Sequence, residues 1–449
     1  MCFKFVNLCR RSYMCTAVLI CGGALLPSAC LAQGTEIEAW NAKFQATYVW
    51  QDKFPFPAAY SGPNSLSTAK ETSYTFSATV YLGLRPWSGA EFYFNPEAVQ
   101  GIPLSAVHGL GGLTNGEIQK TAGPTLTLYR ARTYLRQTID LGGGRQNVES
   151  DQNQLGGVVD KRRVVLTLGN LAVTDVFDRN AYAGDARTRF LNWTFLTYGA
   201  YDFAADARGY SWGLALEWYR DTWAVRCGRF LQPMEPNQQP LDYHIFRHYG
   251  DQIEIEHNYV VGDQQGKLSI LGFRNRATMS RYQDAINLAA QTGGTPNINE
   301  VRTSDQIKSG IGLSLEQSLS TKVGLFIRAS WADGKTETYA FTEIDHSLSG
   351  GILFKGGAWG RGQETAGVAL ARNGLSNGHR EYLAAGGLGF FIGDGRIDYS
   401  PEIVFETFYS MHVKKTVWVS LDWQHISNPG YNADRGPVDV TSMRLHTEF

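Results

Sequence analysis

Cysteine is almost missing from this chain beyond its start. Cys2, Cys9, Cys15, Cys21 and Cys30 lie in the first 30 residues, and only Cys227 follows. One thiol makes no internal disulfide and leaves no multi-cysteine metal cluster. Charge is also scarce. Charged residues are 18%, and 41 Lys+Arg against 42 Asp+Glu give a formal net charge of -1. That balance excludes a whole-chain electrostatic footprint, so no nucleic-acid partner is expected. No apolar run after the first 32 residues approaches the ~18 that a membrane-crossing helix needs. Enzyme signals are thin as well. The nine His residues are scattered without an H-E-x-x-H pair. Gly109 to Gly116 is glycine-rich but lacks the lysine of a phosphate loop. Gly209-Tyr210-Ser211-Trp212-Gly213 spells a nucleophile elbow, yet it lies inside an alternating strand rather than a strand-turn-helix. No catalytic residue, metal or cofactor is expected.

What is present begins with an export signal. Lys4, Arg10 and Arg11 form a basic start, Cys15 to Leu26 is an apolar core, and Pro27 and Ser28 break it. Cys30-Leu31-Ala32 then places small residues at a cleavage site. Twelve apolar residues cannot cross a core that needs about 20. Residues 1–32 are read as a signal peptide and 33–449 as a single domain. Lipoprotein processing at Cys30 is the weaker alternative, because Pro27 sits where a branched apolar residue is usual. Any membrane role of the mature chain must then come from strands.

Period-2 alternation is the main pattern. Trp40, Ala42, Phe44, Ala46, Tyr48 and Trp50 share a face opposite Asn41, Lys43, Gln45 and Thr47. Such runs predict sixteen strands, near 40–50, 73–84, 89–100, 128–141, 163–170, 210–219, 222–230, 252–261, 266–276, 309–319, 321–333, 346–355, 364–373, 402–411, 417–426 and 438–449. Connections alternate between long and short, as in a barrel with long outer loops and short periplasmic turns. The exception is 142–162, which should be a short turn and is not. Either that turn is unusually long or the strand assignment there is wrong. A soluble sandwich or propeller would also alternate. It would have shorter strands, and it would not need aromatic residues at strand ends or a terminal Phe449 on the last strand. The fold expected is therefore all-β. It is a transmembrane antiparallel barrel of sixteen strands, with long extracellular loops, some folded into the lumen. Open sheet edges cannot lie in lipid, so the sheet must close.

If apolar faces meet lipid, the opposite faces line a lumen. Arg130, Arg132, Tyr134, Arg136 and Asp140 share one face of a strand, and guanidiniums facing lipid would cost about 2–4 kcal/mol each near the midplane. Glu91, Tyr93, Asn95 and Glu97 follow the same logic, as do Glu217, Arg226, Glu254, Glu256, Arg274, Arg276, Glu316, Arg328, Glu406 and Asp422. The chain after residue 32 holds 26 Arg against 12 Lys. Arg offers a flat fork of donors that suits paired hydroxyls, with aromatic rings for C–H faces. The longest connection, 171–209, interleaves Asp175, Asp178, Arg179, Asp185, Arg187, Arg189, Trp193, Tyr198, Tyr201, Asp202 and Asp206. Folded inward, it would narrow the pore. The residues expected to line the pore and contact solute are Glu91, Tyr93, Asn95, Glu97, Arg130, Arg132, Tyr134, Arg136, Asp178, Arg179, Trp193, Glu217, Glu254, Arg274 and Arg328.

Several stretches resemble a known family. They are Phe92–Gly101 (FYFNPEAVQG), Leu135–Gly143 (LRQTIDLGG), Glu149–Gly156 (ESDQNQLG), Leu168–Trp193, Tyr201–Tyr219, Leu388–Gly395 (LGFFIGDG) and Asn428–Pro437 (NPGYNADRGP). Together they are similar to carbohydrate-selective outer-membrane porins of the OprB type. The resemblance implies facilitated diffusion of sugars such as monosaccharides, with neither catalysis nor cofactor. The expected partners are small neutral solutes, outer-membrane lipid and lipopolysaccharide, and the barrel-assembly machinery reading the strand that ends in Phe449. A monomer and a homo-trimer are both compatible. The alternatives are a general or anion-selective porin and, less favoured, a barrel hydrolase acting through Ser211 or an adhesin.

Overall fold

The structure is a computed structural model and describes residues 37–449 except 119, 121 and 122. The segment 1–32, read from sequence as a signal peptide, lies outside the described residues. Sixteen strands close a barrel. In chain order they are β1 (Trp40–Lys53), β2 (Glu71–Leu84), β3 (Ala90–Ile102) and β4 (Thr127–Asp140), then β7 (Arg163–Leu171), β8 (Ser211–Arg220), β9 (Trp223–Leu231) and β10 (Tyr249–Val261). The second half holds β11 (Gln264–Thr278), β12 (Asp305–Ser320), β13 (Val323–Ala332), β14 (His346–Lys355), β15 (Thr365–Gly374), β16 (Glu402–Lys414), β17 (Val417–Ser427) and β18 (Val438–Glu448). Two short strands, β5 (Arg145–Val148) and β6 (Gly157–Asp160), form a separate hairpin.

Every pairing in the barrel is antiparallel, and β1 closes on β18 from Gln45↔Glu448 to Lys53↔Val440. Closure leaves no strand edge in the hydrocarbon, where each unpaired backbone group would cost several kcal/mol. Alternation sets the faces. On β8, Leu214, Leu216 and Trp218 are exposed while Ser211, Gly213, Ala215 and Glu217 are buried. Ser211 opens this strand and donates to the Leu231 carbonyl at 2.7 Å, so the elbow-like motif runs from loop into strand with no helix after it.

Long connections sit at one end: 54–70, 103–126, 172–210, 232–248, 279–304, 333–345, 375–401 and 428–437. The other end carries the turns 85–89, 221–222, 262–263, 321–322, 356–364 and 415–416, and is the periplasmic end by that asymmetry. The segment 141–162 also lies there, and it is a genuinely long turn with its own hairpin. The lumen is not empty. The 172–210 loop folds inward, and Tyr198, Tyr201 and Phe203 join Trp193, Phe273, Phe341 and Phe391 in the largest buried apolar cluster.

Two expected pore residues face outward. Arg130 does so because of a bulge. Asn95 pairs with Arg132, but Pro96 pairs with Arg130, leaving Ala131 as the extra residue. Proline has no N–H for the ladder, and a bulge absorbs the break. One extra residue inverts parity. Tyr129 therefore turns inward to bond Glu97, and Arg130 lies outside with its guanidinium 5.3 Å from the Trp212 ring. Arg274 is outward for a different reason. On β11 the apolar Leu271 and Phe273 point inward, because the inward loop gives them a dry partner: Phe273 packs on Tyr201 at 5.3 Å. The rule that apolar faces meet lipid fails where protein fills the lumen. Arg274 then sits opposite Asp251, which pairs with Arg229 at 2.7 Å. Arg276 shares this outer face and pairs with Asp305 at 3.2 Å.

Candidate functional site

The 172–210 loop is pinned to the wall by buried charge. Asp178 pairs with Arg328 of β13 at 3.1 Å, and each side chain is 1% exposed. Glu254 of β10 accepts the Asp178 N–H at 2.7 Å, and Glu316 of β12 accepts the Ala181 N–H at 2.8 Å. On the far wall, Glu406 accepts the N–H groups of Leu191 and Asn192. Arg132 holds the start of the loop through a bidentate pair with Asp175, both bonds at 2.7 Å. The 103–126 loop packs over it from above. Its glycine-rich run is a close-packing device rather than an anion cradle. Gly111 lies against Tyr431 and Gly112 against Thr194, where any Cβ would collide.

Between these loops lies a cavity of about 190 Å³. One wall is aromatic. Trp193 stacks on Phe341 with centroids 5.1 Å apart and planes 6° from parallel, and its Nε1–H donates to the Asn115 carbonyl at 2.9 Å. The facing wall is ionic. Arg187 donates to Glu117 at 3.0 Å, to Glu97 at 3.3 Å and to the Tyr81 hydroxyl at 3.0 Å. Lys120 stands at the outer lip. Its ammonium donates to Asn237 at 2.6 Å and to the Ala340 carbonyl at 2.5 Å. It also lies 5.4–5.8 Å from the rings of Trp193, Phe390 and Phe391. Burial lowers its pKa to about 7, against the pull of Asp202, Asp206 and Glu343.

Larger cavities lie toward both ends of the barrel. On the loop side, a vestibule of about 680 Å³ is lined by Glu235, Arg302, Glu337, Glu343 and Phe390 among others. On the turn side are two cavities of about 360 and 440 Å³. Thr174 lines both the throat and the first, and Arg187 both the throat and the second.

The expected site residues divide into three groups. Glu97, Arg132 and Trp193 line the throat, and Glu91, Tyr134, Arg136, Arg179 and Glu217 line the cavity beneath it. Tyr93, Asn95, Asp178, Glu254 and Arg328 face inward but are sealed by loops or neighbouring side chains, at 6% exposure or less. None of the five lines the throat or the cavity beneath it. Arg130 and Arg274 are outside. Sequence reasoning left out Lys120, Glu117 and Phe341, which come from the 103–126 and 333–345 connections. No periodicity marks such positions. Length alone marked the first of these loops.

One expected outcome follows from the outward pair. Arg130→Ala and Arg274→Ala leave single-channel conductance and ion selectivity at wild-type values, whereas Arg132→Ala changes both. A change in conductance from Arg130→Ala alone would show that its side chain reaches the lumen.

Comparison with known proteins agrees with the geometry. The sequence profile of the carbohydrate-selective porin, OprB family, matches residues 63–449. Among solved structures, the chain is similar to the high-pH structure of Pseudomonas putida OprB, at 15% identity and a TM-score of 0.68. That match covers 92% of this chain and 94% of the other. The outer-membrane channel DcaP of Acinetobacter baumannii is similar at 9% identity and a TM-score of 0.50, covering 91% of this chain and 97% of the other. No curated protein matches the chain. The fold and family are those of channels rather than enzymes, and a closed sixteen-stranded barrel with lipid-facing apolar faces is an outer-membrane structure. The chain belongs to the carbohydrate-selective porin family, OprB.

Proposed function

We propose that this chain passes monosaccharide-sized carbohydrates across the outer membrane by facilitated diffusion. The observation that carries this reading is the composition of the throat. A flat Trp193–Phe341 pair faces the Arg187–Glu97–Glu117 ion cluster across about 190 Å³. Sugars present C–H faces to aromatic rings and paired hydroxyls to charged donors and acceptors. Both kinds of surface are offered at one level of the channel. Several weak contacts let a solute enter without trapping it.

Uptake by proteoliposomes holding the refolded chain tests this. The panel is mono- and disaccharides, an amino acid of similar size and a small organic anion. Monosaccharides should enter faster than size predicts, and Arg187→Ala should remove that advantage. Uptake ranked by size alone would make this a general porin. The second reading is an anion-selective pore, favoured by the surplus of Lys120, Arg132, Arg187 and Arg208 over Glu97, Glu117 and Asp206 around the throat. It predicts that the organic anion outruns every sugar.

The same proposal carries the partners. Phe449 pairs with Phe44 through backbone bonds of 2.8 and 3.0 Å and is 69% exposed at the end of the closing strand. A barrel-assembly machinery that reads the last strand would find its ring exposed. Residues 1–32 would direct export, and lipid and lipopolysaccharide would cover the apolar outer faces. The barrel is sealed within one chain, so a monomer is a sufficient conducting unit, and a trimer would add only contacts between outer faces.

A further inference from the structure

The long periplasmic turn is built into the pathway. After pairing as β5 and β6, its tip at 149–156 doubles back into the barrel mouth. Leu155 is 1% exposed, and its N–H donates to the Tyr93 hydroxyl at 3.0 Å. Gly156 exchanges bonds with Glu38, its carbonyl accepting the Glu38 N–H at 3.0 Å and its N–H reaching the Glu38 carboxylate at 2.7 Å. Arg136 of β4 donates to the Asn153 carbonyl at 3.2 Å, and Gln152 donates to Glu448 of β18 at 3.2 Å. The tip thus runs beneath β1 to β4 as far as the closing seam.

It also makes a chamber. The cavity of about 360 Å³ is bounded by the tip on one side and the 172–210 loop on the other. That size falls within the range of ligand pockets. Its wall repeats the chemistry of the throat with different residues. Arg136 lies 5.5 Å from the Tyr134 ring and bonds Glu91 at 3.4 Å. Arg163 lies 4.0 Å from the Tyr219 ring, and Tyr219 donates to Glu217 at 2.6 Å. The tip contributes Asn153, whose Oδ1 is buried without a hydrogen-bond partner among the described residues. An amide side chain in a cavity wall carries both a donor and an acceptor for hydroxyl groups.

We propose that this chamber is a second carbohydrate-binding station, on the periplasmic side of the throat, with the 141–162 turn as its floor. The proposal rests on the sugar-channel reading and deepens it. A solute released from the Trp193–Phe341 wall meets a second set of tyrosines, guanidiniums and carboxylates before it leaves. Two weak stations in series favour transfer over trapping.

Single channels in planar bilayers, with glucose added to one face at a time, test this. Two variants separate binding from obstruction. Asn153 has a φ of +55°, which glycine accepts freely, so Asn153→Gly removes the orphaned amide and keeps the backbone path. The second variant replaces residues 146–159 with Asn-Gly, and the heat-dependent gel mobility of the barrel confirms that it folds. Glucose block from the turn side should weaken on the order of threefold in Asn153→Gly, the worth of one hydrogen bond. It should weaken about tenfold or more in the trimmed variant, which also conducts more. Block from the loop side should hold in both. If the trimmed channel conducts more but glucose blocks as before from either side, the turn is only an obstruction and the proposal fails. A wild-type channel that admits sugar to vesicles yet shows no turn-side block also overturns it. If sugar neither enters vesicles nor blocks from either face, the sugar-channel reading itself falls, a result distinct from both.

Discussion

Asp178→Ala both destabilises this barrel and enlarges its current. The carboxylate accepts three hydrogen bonds in a dry site. Arg328 gives one, at 3.2 Å from Nε, and a terminal nitrogen stands 3.1 Å away as the ion pair. The Thr197 hydroxyl and the Tyr198 N–H give the others, at 2.8 and 3.0 Å. Removing it leaves the Arg328 charge buried, with the Phe195 carbonyl at 2.9 Å as its remaining partner. Breaking a buried pair from one side costs about 3–5 kcal/mol, because the surviving charge is neither hydrated nor compensated. The 172–210 loop loses its central fastening at the same time, so the throat widens. The expected readouts are a lower urea midpoint for unfolding from vesicles and a higher single-channel conductance. Asp178→Ala combined with Arg328→Met removes both charges and should recover most of the midpoint while the conductance stays high. If the single variant unfolds at the wild-type midpoint, the pair is not what holds the loop.

That fastening shows where sequence reading reached its limit. Strand positions were legible, because in a barrel each residue sees either lipid or interior and alternation records the choice. β8 is an example, with Leu214, Leu216 and Trp218 outside and Glu217 inside. The inward fold of the longest loop was also legible, since a solvated loop has little use for the aromatics and charges between Asp175 and Asp206. Parity failed at two kinds of place. At Pro96 a missing donor shifted the register and turned Arg130 outward. At Phe273 the lumen was dry, and an apolar side chain belonged inside. Asp178, Glu254 and Arg328 were read as solute contacts because they are charged and face inward. That charge also bonds the inward loop, and burial is a three-dimensional property that alternation does not encode. Lys120 and Phe341 carried no pattern at all. They meet Trp193 only because three connections, far apart in sequence, converge at one level of the channel.

Lys120 gives the channel a pH-dependent charge beside the Trp193–Phe341 wall. Its ammonium is enclosed by Trp193, Phe390 and Phe391, and burial brings its pKa down to about 7. The sign follows directly. Below about pH 7 the side chain is protonated and adds a positive charge to the outer lip, favouring anions over cations. Above it the amine is neutral, and Glu97 and Glu117 weigh more against Arg187. The ratio of chloride to potassium permeability should therefore fall as pH rises through 7, by a factor on the order of three for one partly screened charge. Reversal potentials across a potassium chloride gradient, taken from about pH 5 to about pH 9, bracket the ordinary histidine range as well. Lys120→Met keeps the apolar stem and removes the titrating group. It should flatten the profile at the high-pH value, with neutral sugar uptake changing far less. A step that survives in Lys120→Met would assign it to another group. His108 is the nearest alternative, lining the vestibule above with its own pKa lowered by burial. A profile flat in the wild type would mean that Lys120 keeps one charge state across the range.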